Sequence, residues 1–169
     1  MTLHLTQLEG GNALSSFRAQ QLLTELVSIH PKITGIAARF VHLVATDAAP
    51  TPALQERLQA LLTSGDPYEG PADGAALVVT PRLGTISPWA SKATDIARNC
   101  GLGVFRVERI TEYRIAFKTG LLSNVLGSAP ELSAEQTARI AALLHDRMTE
   151  SVFATRAEAE QLFSALDAA

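Results

Sequence analysis

VFRVERITEYRIAFK, residues 104–118, decides the fold. Along an extended chain its Phe105, Val107, Tyr113, Ile115 and Phe117 fall on one side, and Arg106, Glu108, Glu112, Arg114 and Lys118 fall on the other. Apolar and charged residues alternating with period two predict a long antiparallel strand, one face on a core and the other in water. Ile110 and Thr111 blur the middle of the pattern. The charged face could instead dock against another surface, and the unusual length of the strand is the hint for that.

Working outward, residues 75–80 form an apolar run that suits a strand covered on both sides. A loop and a helix ending at Cys100, with Gly101 beyond it, join that run to the long strand. Before residue 75 the stretch 66–74 carries two prolines and two glycines, a loop between two similar halves. The first half repeats the order of the second. Residues 3–8 read as a strand leading into a Gly10-Gly11 turn, with Asn12 positioned to cap the next helix. Leu22, Leu23, Leu26 and Ile29 give that helix an apolar stripe ending before Pro31. Residues 36–45 read as a strand. Thr51 and Pro52 then open a second helix, with Leu54, Leu58, Leu61 and Leu62 on its buried face and Gly65 at its end. Downstream, residues 119–130 are a loose connection. Ser133 and Gln136 make a capping box ahead of Ile140, Leu143, Leu144 and Met148. A short strand follows at 151–154, and Thr155 with Glu158 starts a last helix bearing Leu162, Phe163 and Leu166.

One half alone would leave the apolar face of its sheet open to water, whereas two halves side by side bury it. The expected fold is therefore α+β: duplicated strand-helix-strand-helix halves forming a pseudo-twofold antiparallel sheet layer, covered by helices on one side. The domain spans 1–154, with halves at about 1–65 and 74–154, and 155–169 begin a linker helix.

Composition narrows the function. In 169 residues, 47% are hydrophobic and 18% charged, with a formal net charge of −3. That balance supports a globular core and argues against a surface built to neutralise nucleic-acid phosphates. No Lys/Arg run suggests a nucleic-acid or membrane patch, residues 1–10 do not read as a signal peptide, and no apolar run is long enough to span a bilayer. A cytoplasmic setting is the expectation. With Cys100 the only cysteine, an internal disulfide and a thiolate metal cluster are both out of reach.

Chemistry-bearing residues concentrate in TPRLGTISPWASK, residues 80–92, where a buried strand gives way to a helix. Unpaired N–H groups and the dipole at a helix start favour an anion. Arg82 and Lys92 add positive charge, Thr85, Ser87 and Ser91 add hydroxyls, and Trp89 is the chain's only tryptophan. One reading is an anion-binding or partner-contacting loop, its surface continued along the helix by Thr94, Asp95 and Asn99. The other is an ordinary crossover, capped by Ser87 or Ser91 and packed under Trp89. Neither a Walker loop nor a Gly-x-Gly-x-x-Gly element is present, so the sequence gives no support for an ATP site. His4, His30, His42 and His145 are scattered without metal-ligand spacing; His42, on a strand, reads as packed rather than as a general base. His145 and Asp146 point in different directions on a helix and form no dyad. Cys100, at a helix C-terminus, reads as a small buried apolar residue.

The longer string TPRLGTISPWASKATDIARNCGLG, residues 80–103, resembles the signature of the N-terminal domain of phosphoribosylformylglycinamidine synthase in its large single-chain form. Ala13-Leu14-Ser15 with Phe17-Arg18, Val41-His42, and HDRMTESVF at 145–153 extend the resemblance over nearly the whole chain. It implies a place in the ATP- and glutamine-dependent ligase of purine biosynthesis that converts formylglycinamide ribonucleotide to its amidine. ATP, magnesium and the glutamine-cleaving nucleophile belong to other domains of that family, so the resemblance implies no catalytic residue, cofactor or metal on this chain, and predicts that it is inactive alone. It also implies a likeness to a dimer of the small S-type subunit found in multi-subunit versions of the enzyme. The implied partners are the synthase and glutaminase domains of the same polypeptide, which the chain would bridge while shaping the ammonia path. The alternative is a free-standing anion- or nucleotide-binding α/β module using Arg82, Lys92 and the helix start.

Overall fold

A computed structural model describes residues 4–46, 51–62, 66–68, 70, 75–82, 88–99, 104–117, 132–146 and 148–160. Along them run β1 (His4–Asn12), α1 (Ser16–Ile29), β2 (Ile33–Thr46), α2 (Pro52–Leu62), β3 (Ala75–Pro81), α3 (Pro88–Asn99), β4 (Val104–Phe117), α4 (Ala134–Leu144), β5 (Glu150–Phe153) and α5 (Arg156–Ala159). The five strands form one antiparallel sheet in the order β1-β2-β4-β3-β5. This is the expected α+β layer.

The central pair β2 and β4 carries the approximate dyad. In both strands an extra residue near the start shifts the register, between Ile33 and Gly35 in β2 and between Val104 and Arg106 in β4. Such a bulge sharpens the local twist and lets each long strand curve over its own helix. At one constant offset along the chain, Ile33, Ile36 and Val44 correspond to Val104, Val107 and Ile115, and Leu22 and Leu26 of α1 correspond to Ala93 and Ala97 of α3. The two cores mirror this exchange. Leu22, Leu26, Ile140 and Leu144 of α1 and α4 cover Ile33, Ile36, Leu77, Val79 and Ile115. Leu58 and Leu62 of α2 join Ala93 and Ala97 of α3 over Leu8, Val44, Val104 and Val107. Each half thus places its first helix beside the second helix of the other half.

Several local expectations shift. β1 runs through Gly10 and Gly11 instead of turning there. A Cβ on Gly10 would lie 2.7 Å from the Phe40 carbonyl oxygen and 3.0 Å from the His42 ring, so glycine serves a close approach between strands. Ser15, rather than Asn12, caps α1 by accepting from the Arg18 N–H, while Asn12 donates to the Leu14 carbonyl. Thr51, the Ser133–Gln136 box and Thr155 cap their helices as expected. Leu61 is partly exposed, and Met148 lies beyond the end of α4, well exposed. Gly65, Cys100, Gly101, Lys118, Leu162, Phe163 and Leu166 lie outside the described residues, as does the Phe105 side chain.

The largest correction concerns the charged face of β4. It is not a solvated face: Glu108 is 0% exposed, and Arg106 and Glu112 are buried. Ile110 belongs to that face too, where it joins Val41, Leu43, Ala45, Val78 and Ala159 of α5 in a third apolar cluster. The charges are tolerated because they are neutralised in place. Arg106 meets Glu108 at 2.7 Å, Arg39 meets Glu9 at 3.0 Å, and Arg114 lies 3.5 Å from Glu112. Arg156, at the start of α5, reaches both Glu9 on β1 and Glu112 on β4, the latter at 2.8 Å. Alternation records polarity along a strand; it does not record what packs on the strand.

Candidate functional site

The face that β2 and β4 turn toward the helices is mostly apolar, and its ionisable pair His42 and Arg109 lies where the two strands cross the dyad. There Phe40 pairs with Thr111, and His42 pairs with Arg109. Trp89, at the start of α3, closes over this spot. Its ring stacks on His42, with centroids 5.6 Å apart and planes inclined by 17°. The Arg109 guanidinium carbon lies 4.5 Å from the Trp89 centroid and 4.2 Å from that of Phe40. Each such cation–ring contact contributes on the order of 0.5–2 kcal/mol, the larger values where water is excluded. α3 is held against β4 by Thr94, whose hydroxyl donates to the Ala90 carbonyl at 2.7 Å and accepts from the Val107 N–H at 3.0 Å. Helix and strand therefore fix Trp89 and Arg109 relative to one another.

Two clefts of about 290 Å³ each flank the stack. One, between α2 and α3, is lined by Phe40, His42, Leu61, Trp89, Lys92 and Arg109, among others. The other lies toward β3 and β5, where Thr80, Pro81, Thr149 and Glu150 take part. His42 is only 2% exposed. Burial, with the Arg109 charge beside it, pushes its pKa down to about 4, so the ring is neutral at physiological pH. Burial likewise lowers the pKa of Arg109, opposed by the charge of Glu108 across the sheet.

Of the residues singled out in the sequence, Trp89 and Lys92 meet in the first cleft. Thr94 is buried and structural, while Ser91, Asp95 and Asn99 sit exposed along α3. The exposed Arg82 is anchored through its backbone N–H, which donates to the Thr149 carbonyl at 2.9 Å. Thr85 and Ser87 lie outside the described residues. His42 is packed, as expected. Sequence reasoning missed Phe40 and Arg109. The signal was there for Arg109: it is a charge on the otherwise apolar side of β4, an interruption the alternation already contained.

A family model described as formylglycinamide ribonucleotide amidotransferase N-terminal matches residues 39–163. The chain belongs to that family. The match takes in the 80–103 string, the stack residues Phe40, His42, Trp89 and Arg109, and the clamp residue Arg156; the similarity at residues 13–18 precedes it. The amidotransferase N-terminal domain is thereby part of an amidotransferase-type ligase of purine biosynthesis. Among its described residues, no three His, Cys, Asp or Glu side chains converge as a metal site requires, and no helix is long and apolar enough to cross a membrane.

Proposed function

We propose that this domain acts as the bridge between the synthase and glutaminase domains of its ligase, converting none of the substrate itself. The match over residues 39–163 carries this reading. The paired halves support it physically. Two hydrophobic clusters under four helices and a third on the opposite face bury the sheet from both sides. Such packing suits an adaptor that must hold two other bodies at a fixed separation. In this account ATP and magnesium act in the synthase domain, where the amide oxygen of formylglycinamide ribonucleotide is activated, and ammonia from glutamine displaces it. The role of this domain is to hold that ammonia path in register. Arg82 and, along α3, Ser91, Lys92, Asp95 and Asn99, all exposed, are the described part of the proposed contact surface.

The test is association in trans. The purified chain, added to the parent enzyme lacking it, is expected to bind at one to one in sedimentation. Failure to associate at high concentration contradicts the bridge.

A further inference from the structure

We propose that the cleft between α2 and α3 is a binding site for a phosphomonoester, held by Arg109, Lys92 and His42 under the Trp89 ring. The site does not depend on the bridging role, although it shares Lys92 with the proposed contact surface.

The Arg109 guanidinium carbon lies over the Phe40 and Trp89 rings at 4.2 and 4.5 Å. Among the described residues no carboxylate ion-pairs with it, which leaves guanidinium N–H groups for a ligand in the cleft that Arg109 lines. Two parallel N–H groups of a guanidinium match a phosphate oxygen pair. Lys92, one turn beyond Trp89 on α3, lines the same cleft from an exposed position. His42 supplies the second, independent sign. It is 2% exposed, it lines the cleft, and its Nδ1 is buried with no hydrogen-bond partner among the described residues. A buried polar nitrogen left without a partner costs about 1–3 kcal/mol. A turn of the ring that brings this nitrogen to the cleft lets it donate, as the N–H tautomer, to a ligand oxygen and removes the cost.

Charge selects the ligand class. The described lining of this cleft carries two cations and no carboxylate, whereas the cleft on the other side of Arg109 contains Glu150. An anion is therefore directed toward α2. A carboxylate would balance one of the two cations; a phosphomonoester, carrying about −1.5 to −2 near pH 7, balances both. Leu61, Leu62, Ala93 and Ile96 make the remaining wall apolar. At about 290 Å³ the space lies at the lower end of small-ligand pockets, which run from roughly 300 Å³ upward. It has room for the phosphate and a compact apolar or planar group against Trp89.

The experiment titrates the chain with inorganic phosphate and with phenyl phosphate at constant ionic strength, following Trp89 fluorescence. Saturable binding of both is expected, tighter for phenyl phosphate. Lys92→Gln, an exposed position whose change leaves the fold intact, should weaken both by about tenfold, the equivalent of one charge-assisted hydrogen bond. Arg109→Gln should abolish saturation, and Arg139→Gln, exposed on α4 and absent from the cleft lining, should leave it unchanged. A response that chloride reproduces at matched ionic strength, one that survives Lys92→Gln undiminished, or no saturable response at all overturns the site.

Discussion

His42 illustrates how one position can be chosen by its surroundings. Under the Trp89 ring and beside Arg109 it has no water to solvate a charge, so it stays neutral down to about pH 4. In the unfolded chain the same imidazole titrates near 6.5. Between those values the unfolded state binds more protons than the folded one. Stability therefore falls as pH drops from 6.5 toward 4, by at most about 1.4 kcal/mol per pH unit. Urea unfolding of the chain at pH 6.5 and 5.0 should show this loss, and His42→Phe should flatten it. An NMR titration of the His42 ring with a midpoint near 6.5 would contradict the buried site. At this scale the sequence conveyed that His42 is packed, because a lone histidine on a strand rarely does more. It could not convey that Phe40, Arg109 and Trp89 share one point, since those residues are far apart in the chain and meet only through the β2–β4 register and the angle of α3.

At the scale of elements, the interest lies in how α5 is tied to the sheet. Arg156 spans from β1 to β4 over Arg39, joining Glu9 and Glu112. The hydrogen bond from Arg156 holds the Glu9 carboxyl below the usual range against the opposing cost of burial. For Glu112 burial pulls upward, but the Arg156 hydrogen bond, with the charges of Arg156, Arg114 and Arg39, still leaves its pKa lowered. Both carboxyls are thus ionised at neutral pH, and what they contribute to stability is intact above about pH 4.5 and fades as pH falls through their lowered folded values. Arg156→Ala leaves Glu112 buried with only its weaker partners. The expected destabilisation is about 1–3 kcal/mol, discounted because Glu9 and part of Arg156 are exposed. Chemical denaturation of this variant at pH 7 measures it, and an unchanged midpoint would show the clamp to be idle. Helix starts were readable in advance at Thr51, Ser133 and Thr155, because a cap is a local bond between neighbours in sequence. The fate of the charged face of β4 was not readable. Arg106, Glu108 and Glu112 look the same in a sequence whether water or a buried partner lies against them.

For the whole molecule, the organising feature is the dyad between β2 and β4. It was legible as a repeated order of elements and not as repeated residues, and the structure explains why. Corresponding positions keep the pattern of burial while changing size: Leu22 and Leu26 of α1 answer to Ala93 and Ala97 of α3. The smaller side chains bring α3 close to β4, and the stack of Trp89 and Arg109 from one half on His42 from the other has no counterpart across the dyad among the described residues. A duplicated frame has thus acquired one chemically distinct side. Membership of the amidotransferase N-terminal family gives that frame its setting, and bridging is the role proposed for it. The most direct measurement compares turnover driven by glutamine with turnover driven by free ammonia, in the parent enzyme with and without this domain. The account predicts that removing the domain abolishes the glutamine-driven rate and leaves ammonia-driven turnover largely in place. Equal retention of both rates, or loss of both in an enzyme that remains folded, would contradict it.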